Sequence, residues 1–307
     1  MTLSASSQRV LLQSDFDRFA RLSHDDNPLH CDPAFAAKSH FGATVAHGMM
    51  LYSCLCKLLA EQVGPGMVQL EQTLMFPAPT YVGDRLTLRL REEANDAGVL
   101  TLATEIEKAT PKVSPGGTAV EASGTVATVH GHAKAIAPDT PLRGAEPFAF
   151  AEESGDAELH GLRPGMSASA TRTFFLADLD EYGELSGDRN PIFRDEGEAR
   201  ARGFAGRIVP WPLLAGMFSD LLGTRLPGRG TGWMKQQLHY PAPAYPGEAL
   251  TATVAIRRLR AEKELVNLST VVRAGDGRVV CDGEALVLVR NLETKLAARV
   301  STETKAA

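Results

Sequence analysis

The chain has few cysteines, no long apolar run and no excess of basic charge. Its four cysteines, Cys31, Cys54, Cys56 and Cys281, lack the paired spacing of a structural metal site or a disulfide framework, so they read as reduced thiols. No stretch approaches the length of a membrane span, and the opening MTLSASSQRVLLQSDFDR lacks the apolar centre of a signal peptide; a cytoplasmic protein is expected. The formal net charge of -5 leaves no basic face with which to follow a phosphate backbone, which argues against general nucleic-acid binding. What remains is ordinary globular composition: 307 residues, 44% hydrophobic and 22% charged, enough for two domains with cores of their own.

The main signal is an internal duplication. SHDDNPLH at 23–30 returns as SGDRNPIF at 186–193, and MFPAPTYVGDRLTLRL at 75–90 returns as HYPAPAYPGEALTATV at 239–254. The offsets are 190 − 27 = 163 for the asparagines and 241 − 77 = 164 for the prolines, so one residue has been inserted between the two motifs. DFDRFARLS also pairs with ADLDEYGELS, giving the halves the same motif order. HGHAKAIAPDTPLRGAEPF between them has little periodicity and reads as a linker. The expected organisation is a domain at 1–135, a linker at 136–159, a domain at 160–295 and a polar tail at 296–307.

Each half shows the same elements. A short helix, capped in the first half by Ser14, precedes the Asx-Pro turn. A longer helix follows, HGMMLYSCLCKLLAEQ at 47–62, whose apolar residues cover most of its circumference, so it has to be enclosed by other structure. Four alternating segments come next, MVQLEQTLMF, DRLTLRLRE, GVLTLATEIE and TAVEASGTVATV, and GWMKQQLHY, EALTATVAIRRL, ELVNLSTVVR and RVVCDGEALVLV repeat them. A buried helix wrapped by an antiparallel sheet, made twice, is an α+β architecture.

SHDDNPLHCDPAFA, FGATVAHGMML and FPAPTYVGDRL together resemble the MaoC-like, R-specific enoyl-CoA hydratases, most strongly in the first half and in weaker form in the second. The resemblance implies a tandem, double hot-dog fold with two antiparallel sheets, each wrapping a long buried helix. It also implies reversible hydration of a trans-2-enoyl thioester on coenzyme A, with no cofactor or metal. His24 departs from the family, which usually has glycine there.

Carried over by position, the resemblance implies that Asp25 and His30 bracket the water and that the Gly48 N–H receives the oxyanion; beside them, Asn27 is a candidate for orienting the loop or water and His47 for touching substrate. The residue types suit the task. A carboxylate and an imidazole with a pKa near ~6.5 exchange protons near neutrality. A glycine in the first helical turn offers an N–H without an intrahelical acceptor. The second copy is an internal control. His30 becomes Phe193, and at the 164 offset Gly48 becomes Pro212, which has no N–H, so one active site per chain is expected, in the first half. Asp188, Asn190 and Pro191 are kept, which assigns those residue types a structural role as well.

Plainer readings compete. Asp25 and Asn27 suit an Asx turn, His47 a packed helix start, and Cys54 and Cys56 the core. His24, His30 and His47 have no zinc-type spacing. Arg85, Arg89, Arg202 and Arg207 are candidates for the coenzyme's charges, although isolated arginines usually face solvent. The rival functions are a dehydratase acting on carrier-protein or branched dicarboxylyl-CoA thioesters, a thioesterase, and a non-catalytic acyl-thioester binder. Intact His30 and Gly48 weigh against the last. The two halves already supply the pair that single hot-dog chains make by dimerising, and a further homodimer is compatible with that.

Overall fold

The computed structural model describes residues 3–113, 119–150 and 158–293; the expected polar tail at 296–307 lies outside them. The first half runs β1 (Ser4–Val10), α1 (Gln13–Ser23), α2 (Pro28–Cys31), α3 (Pro33–Ala36), α4 (Gly48–Val63), β2 (Val68–Met75), β3 (Arg85–Asp96), β4 (Val99–Val113) and β5 (Ala119–Ile136). The second repeats it as β6 (Ser167–Thr173), α5 (Leu176–Ser186), α6 (Pro191–Arg194), α7 (Glu196–Ala201), α8 (Trp211–Thr224), β7 (Gly232–His239), β8 (Ala249–Arg260), β9 (Leu265–Ala274) and β10 (Val279–Leu288).

Among the described residues the two expected sheets meet edge to edge and form one antiparallel sheet of ten strands, in the order β1-β3-β4-β5-β2-β7-β10-β9-β8-β6. The seam is β2 against β7, where Thr73 pairs with Gln237. These two are repeat equivalents (237 − 73 = 164), so the seam carries the pseudo-twofold axis. Equivalent strands therefore occupy mirrored places in the order. β1 and β6, the two outermost strands, were absent from the sequence reading because SASSQRV and SASATRT carry serine where a strand signal needs β-branched or aromatic residues.

The sheet wraps α4 and α8, which pack against each other. Eleven residues of α4 are buried, among them Met49, Leu55, Leu58 and Leu59. Each fully buried side chain of this size stabilises the fold by about 2 kcal/mol, so the enclosed helix is a principal source of stability. Gly64, at φ 121°, ends α4 in a conformation that a side chain would oppose. The cap of α1 differs from expectation: the helix begins at Gln13, and Ser14 lies inside its first turn. The Asp15 carboxylate instead accepts the Leu12 N–H at 2.9 Å, as Asp178 accepts the Phe175 N–H at 2.8 Å in the second half. No helix among the described residues is long and apolar enough to cross a membrane.

Candidate active site

The site begins where α1 stops. His24 takes the left-handed conformation (φ 56°) that its equivalent Gly187 takes (φ 73°), so the turn keeps its shape despite the larger residue. Asp25 follows, fully buried, with its N–H bonded to Ser23 Oγ at 3.3 Å. Asn27 caps α2 by accepting the Leu29 N–H at 3.2 Å, and Pro28 supplies the first helical residue. This short helix returns His30 towards the carboxylate, and its Nε2 lies 3.9 Å from Asp25 Oδ2. The Val45 carbonyl, 2.8 Å from His30 Nδ1, can only accept, so Nδ1 carries a proton and Nε2 is the nitrogen that exchanges one. Gln13 steadies the same turn by donating to the His30 carbonyl at 2.9 Å.

His47 completes the cluster. Its ring stacks on that of His30 with centroids 3.8 Å apart, and its Nε2–H donates to the Asp25 carbonyl at 3.1 Å. Complete burial, and then the neighbouring His30, push its pKa well below the ordinary histidine value, so it is neutral at physiological pH. His47 thus holds the backbone of one member of the pair and the ring of the other. Gly48 opens α4 immediately afterwards, and its N–H has no hydrogen-bond acceptor among the described residues. Any side chain here would collide with Phe76, whose Cζ would stand 2.9 Å from an added Cβ.

The second half also contributes, through a residue that the sequence reading missed. Ser219 of α8 donates its hydroxyl to Asp25 Oδ2 at 2.5 Å. Gly216 and Gly223 lie three residues before and four after it, on the same helix face. An added Cβ at Gly216 would meet Ser23 at 3.2 Å, and one at Gly223 would meet the Asn27 amide at 2.8 Å. The turn therefore docks onto a face of α8 that is nearly free of side chains.

The second half differs at the equivalent places, and corrects one expectation. α4 starts at Gly48 after His47, and α8 starts at Trp211 after Pro210, so Gly48 corresponds to Trp211 and not to Pro212. The N–H is present in the second copy. The indole stands in the cleft instead, edge-on to Phe193 with centroids 4.9 Å apart, so two rings take the place of a histidine and an open amide. The retained residues serve structure here: Asn190 accepts the Gly66 N–H at 3.1 Å and donates to the Met67 carbonyl at 2.9 Å. In the first half the Asn27 amide nitrogen makes no such bond among the described residues.

Asp188 is the buried counterpart of Asp25, and burial raises its pKa to about 6. A carboxyl group raised in this way binds its proton more tightly in the folded chain. Its contribution is therefore most favourable below the unfolded value near ~3.9 and is lost as pH rises towards 6, a difference on the order of 3 kcal/mol. Asp188→Asn should thus gain stability over the wild type progressively between pH 4 and 7, by thermal melts at each pH, with turnover changed less than about twofold. A large loss of turnover would assign Asp188 a catalytic part.

Asn27, His30 and Gly48 line a cavity of about 320 Å³, walled by Leu51, Phe76 and, from the second half, Leu222, Trp233 and Leu288. Three of the arginines considered for coenzyme charges have internal partners: Arg89 pairs with Glu107, Arg202 donates to the Gly66 and Ala137 carbonyls, and Arg207 binds Asp180 and the Phe193 carbonyl. Ligand-capable atoms of Asp25, His30 and His47 lie within 4.8 Å of one another, and His24 is not part of that group. One nitrogen of each ring is held by a carbonyl, His47 Nε2 by Asp25 and His30 Nδ1 by Val45, while His47 Nδ1 is buried without a partner among the described residues.

Residues 1–111 match the family described as MaoC like domain, and residues 176–283 match the FAS1-like, dehydratase domain region. An (R)-specific enoyl-CoA hydratase of Rhodospirillum rubrum is 39% identical over 128 residues, covering 42% of this chain and 88% of the relative. One from Aeromonas caviae is 35% identical over 126 residues, covering 41% and 94%. A solved MaoC-like dehydratase matches 93% of this chain and 97% of its own at a TM-score of 0.71 and 16% identity, a likeness of fold across both halves.

Proposed function

The chain belongs to the MaoC-like dehydratase family, and from that premise we propose that it adds water reversibly to a trans-2-enoyl-CoA, giving the (3R)-3-hydroxyacyl-CoA. One observation carries the reading: Asp25 Oδ2 and His30 Nε2 stand 3.9 Å apart, and His30 lines a cavity that Gly48 lines as well. Two atoms at this separation can be bridged by one water molecule about 2.8 Å from each.

In hydration, the water oxygen bonds to the β-carbon while one of its protons passes to the Asp25–His30 pair, and the pair returns a proton to the α-carbon. Because the Val45 carbonyl holds Nδ1–H, whatever proton His30 exchanges passes through Nε2. Negative charge collecting on the thioester oxygen is received by the Gly48 N–H at the positive end of α4. Ser219 and the Asn27 N–H donate to the Asp25 carboxylate, which fixes its plane relative to the water. Every step uses protons that this cluster can hold, so the reaction calls for no cofactor beyond the coenzyme A of the substrate. The cavity lies at the small end of ligand sites, which suits a short acyl chain.

Crotonyl-CoA tests the reading. Its conjugated absorbance should fall on addition of the protein, with no free thiol released, (3R)-3-hydroxybutyryl-CoA as product, and unchanged rate after dialysis against EDTA. Thiol release would point to hydrolysis. Tight binding with no absorbance change, for short, long and branched enoyl-CoA alike, would make the protein a binder.

A further inference from the structure

Two arginines cross between the halves in mirrored places. Arg9 of β1 donates to the Leu185 and Ser186 carbonyls at 2.7 and 2.9 Å, at the end of the helix that leads into the silent turn. Its equivalent, Arg172 of β6 (172 − 9 = 163), donates Nη2–H to the Leu22 carbonyl, at the end of the helix that leads into Asp25. A guanidinium suits both places, since the last carbonyls of a helix lack partners and carry partial negative charge. The mirror is imperfect. Arg9 grips two carbonyls, whereas Arg172 grips one, lies over the Phe174 ring at 4.2 Å and leaves Nε and Nη1 buried without acceptors among the described residues. Arg172 as a whole is half-buried, with Asp178 and Asp220 favouring its charge, yet two buried donors left without acceptors break a local rule of stability, and such breaks concentrate at functional sites.

We propose that Arg172, supplied by the catalytically silent half, is a positioning residue that sets the height of the Asp25 turn against His30. The path is short. Leu22 is followed by Ser23, whose hydroxyl receives the Asp25 N–H and whose Cβ lies against Gly216 of α8. The turn is thereby held between β6 on one side and α8 on the other, both from the second half. Moving the Leu22 carbonyl moves the anchor of the carboxylate, and the 3.9 Å gap to His30 Nε2 changes with it. Arg9 makes the equivalent hold on a turn that does no chemistry, and so serves as a built-in control. The kinetic arm of the test rests on the hydratase reading; the exchange arm does not.

The experiment compares Arg172→Met with Arg9→Met in the full chain, with Arg172→Lys as the milder variant should the first not fold. Hydrogen exchange at residues 23–27 should quicken in Arg172→Met and not in Arg9→Met, which should instead loosen 186–190. With crotonyl-CoA, Arg172→Met should lose about tenfold in kcat with KM changed less than about twofold, as expected for small misplacement of a reacting group. Arg9→Met should keep kcat within about twofold at a comparable loss of thermal stability. Arg172→Lys should show both effects of Arg172→Met in weaker form, because a compact ammonium replaces the fork. Equal loss of kcat in the two methionine variants at matched stability overturns the assignment, as does unchanged exchange at 23–27 in the Arg172 variants. A chain inactive on enoyl-CoA but showing the predicted exchange pattern would refute the hydratase reading and leave the clamp standing.

Discussion

Asp25→Asn and His30→Ala should each lower kcat for enoyl-CoA hydration by about 10²–10⁴-fold, the range for removal of a general acid or base. Asparagine preserves much of the packing, because its amide oxygen still accepts from Ser219 or from the Asn27 N–H, the two donors now on the carboxylate. What it loses is the capacity to take a proton from water. His30→Ala removes the other acceptor and leaves His47 unstacked, yet His47 cannot substitute, since its Nε2 is tied to the Asp25 carbonyl and burial keeps it neutral. Steady-state kinetics beside thermal melts separates chemistry from folding: kcat should collapse with the melting temperature moved by only a few degrees. Retention of more than a tenth of wild-type kcat in both variants would remove the pair from the reaction.

Gly48→Ala should lower kcat by about 10²–10³-fold, the usual consequence of losing one oxyanion donor. The amide itself survives the substitution, so the loss arises from geometry. The new methyl group would stand 2.9 Å from Phe76 Cζ and would drive that ring into the cavity where the thioester oxygen must approach the N–H. Phe76→Leu in the same chain should recover part of the lost rate by giving the methyl room, which a folding defect would not predict. Near-normal turnover for Gly48→Ala alone would mean that the oxyanion is stabilised elsewhere.

The duplication made most of this architecture readable from sequence. Pro77, Pro79, Tyr81 and Gly83 recur as Pro241, Pro243, Tyr245 and Gly247, and the eight β-rich segments fall on β2–β5 and β7–β10. The all-round apolar pattern of α4 required enclosure, and the fold encloses it. Other features were unreadable for identifiable reasons. Fusion into one sheet depends on β2 pairing with β7, a contact between strands whose own patterns say only that each is a strand. The register at Gly48 depends on where one residue was inserted. Spacing is still 163 at the starts of α4 and α8 and becomes 164 by β2 and β7, so the change falls between helix and strand, beyond the site. Ser219 left no signal, because its partner lies 194 residues away and its equivalent in the first half is Cys56. Arg172 was hidden in a strand that did not read as one. The turn carrying Asp25 and His30 was therefore legible as a motif, whereas its support was not, since that support comes from the other half of the chain.

A crystal structure of Asp25→Asn with bound crotonyl-CoA bears on the central claim most directly. The thioester oxygen should lie about 3 Å from the Gly48 nitrogen, with the β-carbon facing the space between residue 25 and His30 Nε2. An acyl group found instead beside Trp211 and Tyr240 in the second half, or a thioester turned away from Gly48, would contradict the account.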